Sequence, residues 1–300
     1  MNFLSQFMMM SSAILAASPT DDEALFTTSG SFTWVAPPKV RSVSVVCIGG
    51  GASPLVATSN FPGGGGGGLV YANNISVIPG QSYDVVVGKG GDSQGSSVSP
   101  LSGENGGLSS FTADLTTLIA YGGFSNGNSG VFSGGDGGGN GGASNASQGY
   151  GGGGAGGYTG NGGSGGLGGS SSQGNPGDAG TGGAGGGGGG SFAQTFSSTQ
   201  PGRASSGGGT GVYGQGSDGT GGLGATSDSG LGNATASGGG SNGTNGDLNG
   251  GLFGGGGRSG FLKTTVPNLY IAGGSGGGGA VRIIWPGNIR QFPSLNTQEI

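Results

Sequence analysis

Histidine is absent from this chain of 300 residues, cysteine occurs once, and only 7% of the residues are charged. Without histidine there is no Ser-His-Asp triad, no histidine metal ligand and no imidazole acid–base group. A lone cysteine, Cys47, excludes an intrachain disulfide. Its place in the apolar run 43–48 predicts a buried small hydrophobe. Lysine and arginine together number 8 against 13 acids, a net charge of −5, which argues against nucleic acid as a partner. No apolar run approaches the ~20 residues that span a bilayer, so membrane insertion is not expected. The carboxylates are scattered except for Asp21, Asp22 and Glu23, and that cluster reads as a helix start or a solvated turn rather than a hydrolytic pair. G-x-G-x-x-G is met many times, but trivially, and no βαβ unit follows it. The sequence therefore predicts a protein that is not an enzyme and takes no cofactor or metal.

Glycine is what the chain has instead: 86 residues, several times the usual ~7%. Disordered chains combine low hydrophobicity with high charge, and here the charge is missing. The glycines are also phased. Gly151, Gly154, Gly157, Gly160, Gly163, Gly166 and Gly169 keep a period of three, and after a shift it resumes at Gly174, Gly177, Gly180, Gly183, Gly186 and Gly189. A period of three fits neither a helix nor a strand. It fits polyproline-II geometry, which leaves every backbone N–H and C=O free for a neighbouring segment. The expectation is a bundle of polyglycine-II helices whose glycines let backbones touch. Ala155, Tyr158, Thr159, Asn161, Ser164 and Leu167 would then occupy exposed or partly exposed edges.

Apolar segments flank the glycine. Phe3, Phe7, Met10, Ile14 and Ala17 fall on one helical stripe, and no basic residue precedes Lys39 to make a signal peptide. A short N-terminal α-helix that docks or oligomerises the chain is expected. Residues 31–37 (SFTWVAP) and 41–48 (RSVSVVCI) read as strands, the second central because it is apolar on both faces. Residues 69–78 and 83–87 around Pro79-Gly80 read as a hairpin. Residues 280–285 (AVRIIW) read as a closing strand paired with 41–48. The fold expected is mainly β: a small antiparallel sheet or sandwich with inserted glycine-rich loops. Its parts are residues 1–26 (helix and linker), 27–126 (β-rich), 127–279 (glycine-rich) and 280–300 (closing strand and tail).

Six stretches, GSFTWVAPP (30–38), VSVVCIGGG (43–51), the six glycines 63–68, VIPG (77–80), VVVGKGG (85–91) and GGGGAVRIIW (276–285), together resemble the glycine-rich domain of virion structural and tail-fibre proteins of tailed phages. The chain resembles more distantly the tail-fibre-tip adhesins built on a polyglycine-II sandwich. The resemblance implies a virion protein, a tail-fibre or receptor-binding component that meets a host glycan or protein. It also implies other virion proteins as partners through the N-terminal helix, and a homo-oligomer, with a trimer favoured. A decoration fibre and an ice-binding protein are the alternatives. Tyr158, Phe192, Phe196 and Tyr213 are the aromatic candidates for receptor contact at distal loop tips, the alternative being that they plug gaps between the glycine helices and the sheet.

Overall fold

The computed structural model describes residues 22–56, 62–94, 97, 99–144, 151–169, 174–188, 204–224, 236, 238–239, 243–246, 249–263 and 269–294. These residues form strands β1 (Glu23–Phe26), β2 (Gly30–Val35), β3 (Ser42–Ile48), β4 (Leu69–Ser76), β5 (Ser82–Val87) and β6 (Ser109–Ala113). They continue as β7 (Thr116–Ala120), β8 (Phe132–Ser133), β9 (Gly137–Gly139), β10 (Phe261–Lys263), β11 (Leu269–Ile271) and β12 (Ala280–Ile284). One antiparallel sheet runs β1-β12-β3-β4-β9, a second runs β2-β5-β6-β7-β8, and β10-β11 form a separate pair.

The two large sheets sandwich a core of alternating side chains, as half-buried strands require. Val43, Val45 and Cys47 of β3, Val281 and Ile283 of β12, and Val70 of β4 meet Tyr83, Val85, Phe111 and Leu118 of the second sheet. Trp34 lies at the centre, with ring centroids 5.8 Å from Trp285 and 6.4 Å from Phe111. The apolar run of β3 is central, between β12 and β4, with Ala280 opposite Ile48 and Ser42 opposite Ser76. Its other side chains, Val46 and Ile48, join Leu69, Tyr71 and Ile284 in a second core on the far face of the same sheet. That sheet is therefore buried on both faces, while the second sheet is buried on one.

Two expectations are corrected. The fold is all β, in two antiparallel sheets, with no helix among the described residues. The stripe Phe3, Phe7, Met10 and Ile14 lies outside them. Glu23, expected in a helix start or solvated turn, begins β1, because the free edge of β12 offers it a ladder and Arg282 offers it a charge. Glycine tracts within residues 27–126 prolong the strands. β3 runs into 49–56, 62–68 runs into β4, β5 runs into 88–94, and β7 runs into 121–125.

The expected hairpin is also absent. β4 and β5 belong to opposite sheets, because both present apolar faces to the same core and so meet across it rather than side by side. Ile78 to Gln81 makes the crossing as a tight turn, with Gln81 N–H donating to Ile78 O at 3.0 Å and Gly80 at φ 80°. That is the turn in which Pro precedes a glycine of positive φ.

Candidate functional site

Beyond the sandwich the strands' glycine extensions hydrogen-bond sideways into a lattice, and its logic is clearest at the six-glycine run 63–68. Gly64 and Gly67 donate to the carbonyls of Gly257 and Gly254. Gly65 and Gly68 donate to those of Phe124 and Tyr121, and Gly66 to that of Gly142. The acceptors repeat the rule: Gly64 and Gly67 accept from Gly153 and Gly156, Gly65 and Gly68 from Ala52 and Gly49, and Gly66 from Gly130. Bonds thus leave in three directions in turn, as a three-residue repeat dictates, and six segments surround the run. A Cβ on any of these six glycines would fall under 3.0 Å from a carbonyl oxygen of a neighbouring segment. Gly63 and Gly66 would strike residues 151 and 154, Gly64 and Gly67 residues 52 and 49, Gly65 and Gly68 residues 128 and 131. Contact between backbones is what makes glycine necessary at all three phases.

Outward from that run the requirement relaxes. Segment 151–157 donates to 160–166 from Gly151, Gly154 and Gly157, to 205–208 from Gly152 and Ala155, and to 64–67 from Gly153 and Gly156. It is enclosed too, so Ala155 is buried rather than at an exposed edge. In 160–167 one phase faces 174–181 and one faces 151–157. The third phase carries Asn161, Ser164 and Leu167, which are exposed or half-buried.

Tyr158 is fully buried, not at a tip. Its ring stacks on Phe292 at 5.7 Å and tilts against Tyr71 at 5.9 Å. Its hydroxyl donates to Gly211 O at 3.0 Å and accepts from Gly214 N–H at 3.2 Å. Burial pushes the phenol well above its ordinary pKa. A full-size aromatic at the lattice–sheet boundary fills volume that glycine cannot. Tyr213 is half-buried beside it, with the Arg282 guanidinium 4.2 Å over its ring. Phe192 and Phe196 lie outside the described residues. The structure thus brings Tyr158 and Tyr213 together under the outer face of the β3-containing sheet, and neither forms a loop tip.

The sequence reading missed the charge cluster at this boundary. Arg282 is fully buried; it pairs with Glu23, and its Nη1 donates to Val212 O at 3.2 Å. Arg290 reaches the same Glu23 carboxylate at 3.4 Å and donates to Asp22 O at 2.6 Å. The available signal was an arginine inside the apolar string AVRIIW, which demands a partner wherever the strand is buried on both faces.

An open groove of about 610 Å³ lies at the opposite end of the sandwich, between the end of β4, the β6–β7 turn and residues 134–136. Asp136 there accepts the Asn73 N–H at 2.8 Å. Among the described residues no three His, Cys, Asp or Glu side chains gather around a possible metal position. Cys47 is buried, and its thiol pKa is raised by desolvation. A buried, neutral thiol is not a nucleophile.

No curated protein matches the chain. A glycine-rich domain family does, over residues 27–286, a span that takes in β2 to β12 and the glycine lattice. The chain belongs to this glycine-rich domain family.

Proposed function

We propose that the protein is a non-enzymatic virion component of a tailed phage, working in a tail fibre as a receptor-binding element. The observation that supports this reading is polarity. Ala52–Gly65 and Gly151–Gly166 join antiparallel segments, Gly166–Gly188 and Gly152–Ser205 join parallel ones, and with Gly63 on Ser144 Oγ these bonds fix the direction of each glycine segment. Residues 56, 62, 144, 151, 169, 174, 188 and 204 accordingly lie at the pole of the lattice away from the sandwich. Glu23 lies opposite Ile284, at the end of β12 remote from the lattice, so residues 1–21 join the chain at the other pole. One end serves to attach, and the other meets the host glycan or protein. The short apolar N-terminal segment is the part that would join other virion proteins or a trimer.

Burial of Tyr158 favours a second reading, a decoration fibre whose glycine region has structural work only. Gold label at residue 2 or 300, imaged on negatively stained particles, separates the two. Label on tail fibres, together with blocked adsorption by the purified protein, fits the receptor role. Label on the capsid surface with adsorption unaffected sinks it and leaves the decoration reading.

A further inference from the structure

The outer face of the second sheet carries nothing among the described residues, and its lattice end presents a row of apolar side chains. Ser109 pairs with Ala120, and Ala120 with Phe132. One step further along, Leu108, Tyr121 and Val131 stand opposite one another on one face, and Tyr121 N–H donates to Val131 O at 2.9 Å. They are 41%, 36% and 47% exposed. Phe124, 42% exposed, follows Tyr121 by three residues, and both carbonyls are bonded by the 63–68 run. In a three-residue repeat that puts their side chains on the same side. Two carboxamides flank Phe124. Asn105 accepts the Ser125 N–H at 2.8 Å and Asn126 the Asn128 N–H at 3.1 Å, both through Oδ1. Each amide is thereby oriented, and its NH₂ is left to an incoming acceptor.

We propose that this strip, Leu108, Tyr121, Phe124 and Val131 with Asn105 and Asn126, binds an uncharged saccharide. Half-exposed aromatic rings on a backbone hydrogen-bonded to the 63–68 run offer flat apolar faces to the C–H side of a sugar ring. The fixed amide donors meet its hydroxyls at little ordering cost. Neutrality follows from the surroundings: between residues 105 and 131 the only charged side chain is Asp114, at the β6–β7 turn on the sandwich's other end. Glu104, the acid next to Asn105 in sequence, lies 3.5 Å from Lys89. The four apolar side chains expose on the order of 300 Å², far less than the ~800 Å² per partner of a stable protein interface, so a second copy of the chain is the poorer occupant. The strip lies on a flank, not at the pole assigned to receptor contact, and it would bind sugar whether or not the protein sits on a virion.

The test uses the full chain against cellohexaose, laminarihexaose and maltohexaose, by titration and by saturation-transfer NMR. At least one should bind, with transfer from aromatic ring protons. Phe124→Ala and Tyr121→Ala should each weaken binding roughly tenfold or more, and Asn105→Leu should weaken it with the rings intact. Leu115→Ala, at the remote turn, should leave affinity unchanged, and unaltered thermal midpoints would show that the variants fold. No binding of any of the three sugars, or equal binding by Phe124→Ala, overturns the proposal. So does a concentration-dependent dimer that Phe124→Ala abolishes, which would assign the strip to a second copy.

Discussion

The sandwich and the lattice are joined along the same chain but built by opposite rules. In the sandwich, side chains do the joining: Trp34, Phe111, Leu118, Val281 and Ile283 fill the space between sheets about 10 Å apart. Removing atoms there leaves a cavity, while the surroundings can shift a little. In the lattice, side chains are excluded and the backbone does the joining. Its segments are held by amide–carbonyl bonds of about 2.7–3.1 Å in three directions, and a neighbouring carbonyl fills the space where a Cβ would stand. Glycine's large ordering entropy is a cost the lattice bears throughout. The segments 49–56, 62–68, 88–94 and 121–125 enter it already fixed at a strand end, which shortens the loops that must close. One region is therefore sensitive to subtraction, the other to addition.

The largest expected effect tests that asymmetry. Gly66→Ala adds one methyl group between the 63–68 and 151–157 segments, where backbone atoms cannot move aside without breaking bonds to other neighbours. The expected loss is on the order of 4 kcal/mol or more. Leu118→Ala removes three carbon atoms from the sandwich core, and its expected loss is about 2–5 kcal/mol. Urea denaturation with limited proteolysis checks both. If Gly66→Ala were as stable as the unaltered protein, the lattice would not be held by direct backbone contact.

Tyr158 tests the seam between the regions. Its ring belongs to the lattice chain but packs on Tyr71 and Phe292 beneath the sheet. Tyr158→Ala should cost about 3–5 kcal/mol. Tyr158→Phe should cost about 1–3 kcal/mol, because Gly211 O and Gly214 N–H lose a buried partner. Equal stability of Tyr158→Ala and the unaltered protein would mean that the lattice stands without this plug.

Much of this was legible in the sequence, unevenly. β3, β12 and their pairing follow from apolar strings bounded by glycine, and the period of three foretells segments bonded in three directions. What could not be read was partnership. Nothing in 69–87 says whether two apolar strands around Pro79-Gly80 lie side by side or face each other, since both arrangements bury the same residues. Tyr158 looked distal because its neighbours in sequence are glycine. Its neighbours in space, Tyr71 and Phe292, are 87 and 134 positions away. Nothing in the short apolar run Leu115 to Tyr121 says that Tyr121 shares an outer face with Leu108 and Val131, which only the register supplies. Glycine density also hides enclosure: the run 63–68, surrounded on all sides, looks in sequence like a linker.

The smallest expected effect separates the regions by pH. Cys47 belongs to the sandwich core and Tyr158 to the seam, and burial raises both pKa values above their ordinary 9.0 and 10.0. Above those values the unfolded chain releases a proton that the folded chain retains, so the unfolded state binds fewer protons and stability falls as pH rises. The contribution is fully present below the ordinary pKa. Each group then removes about 1.4 kcal/mol per pH unit, the thiol from about pH 9.0 and the phenol from about pH 10.0. Cys47→Ala should lower stability modestly at neutral pH through the lost packing, yet flatten the decline between pH 9.0 and pH 10.0. Tyr158→Phe should keep that first decline and lessen the one above pH 10.0. Denaturation midpoints measured across this range give the result directly. An identical slope for Cys47→Ala and the unaltered protein between the two values would mean that the thiol meets water in the folded state, and that the sandwich is less closed than its packing indicates.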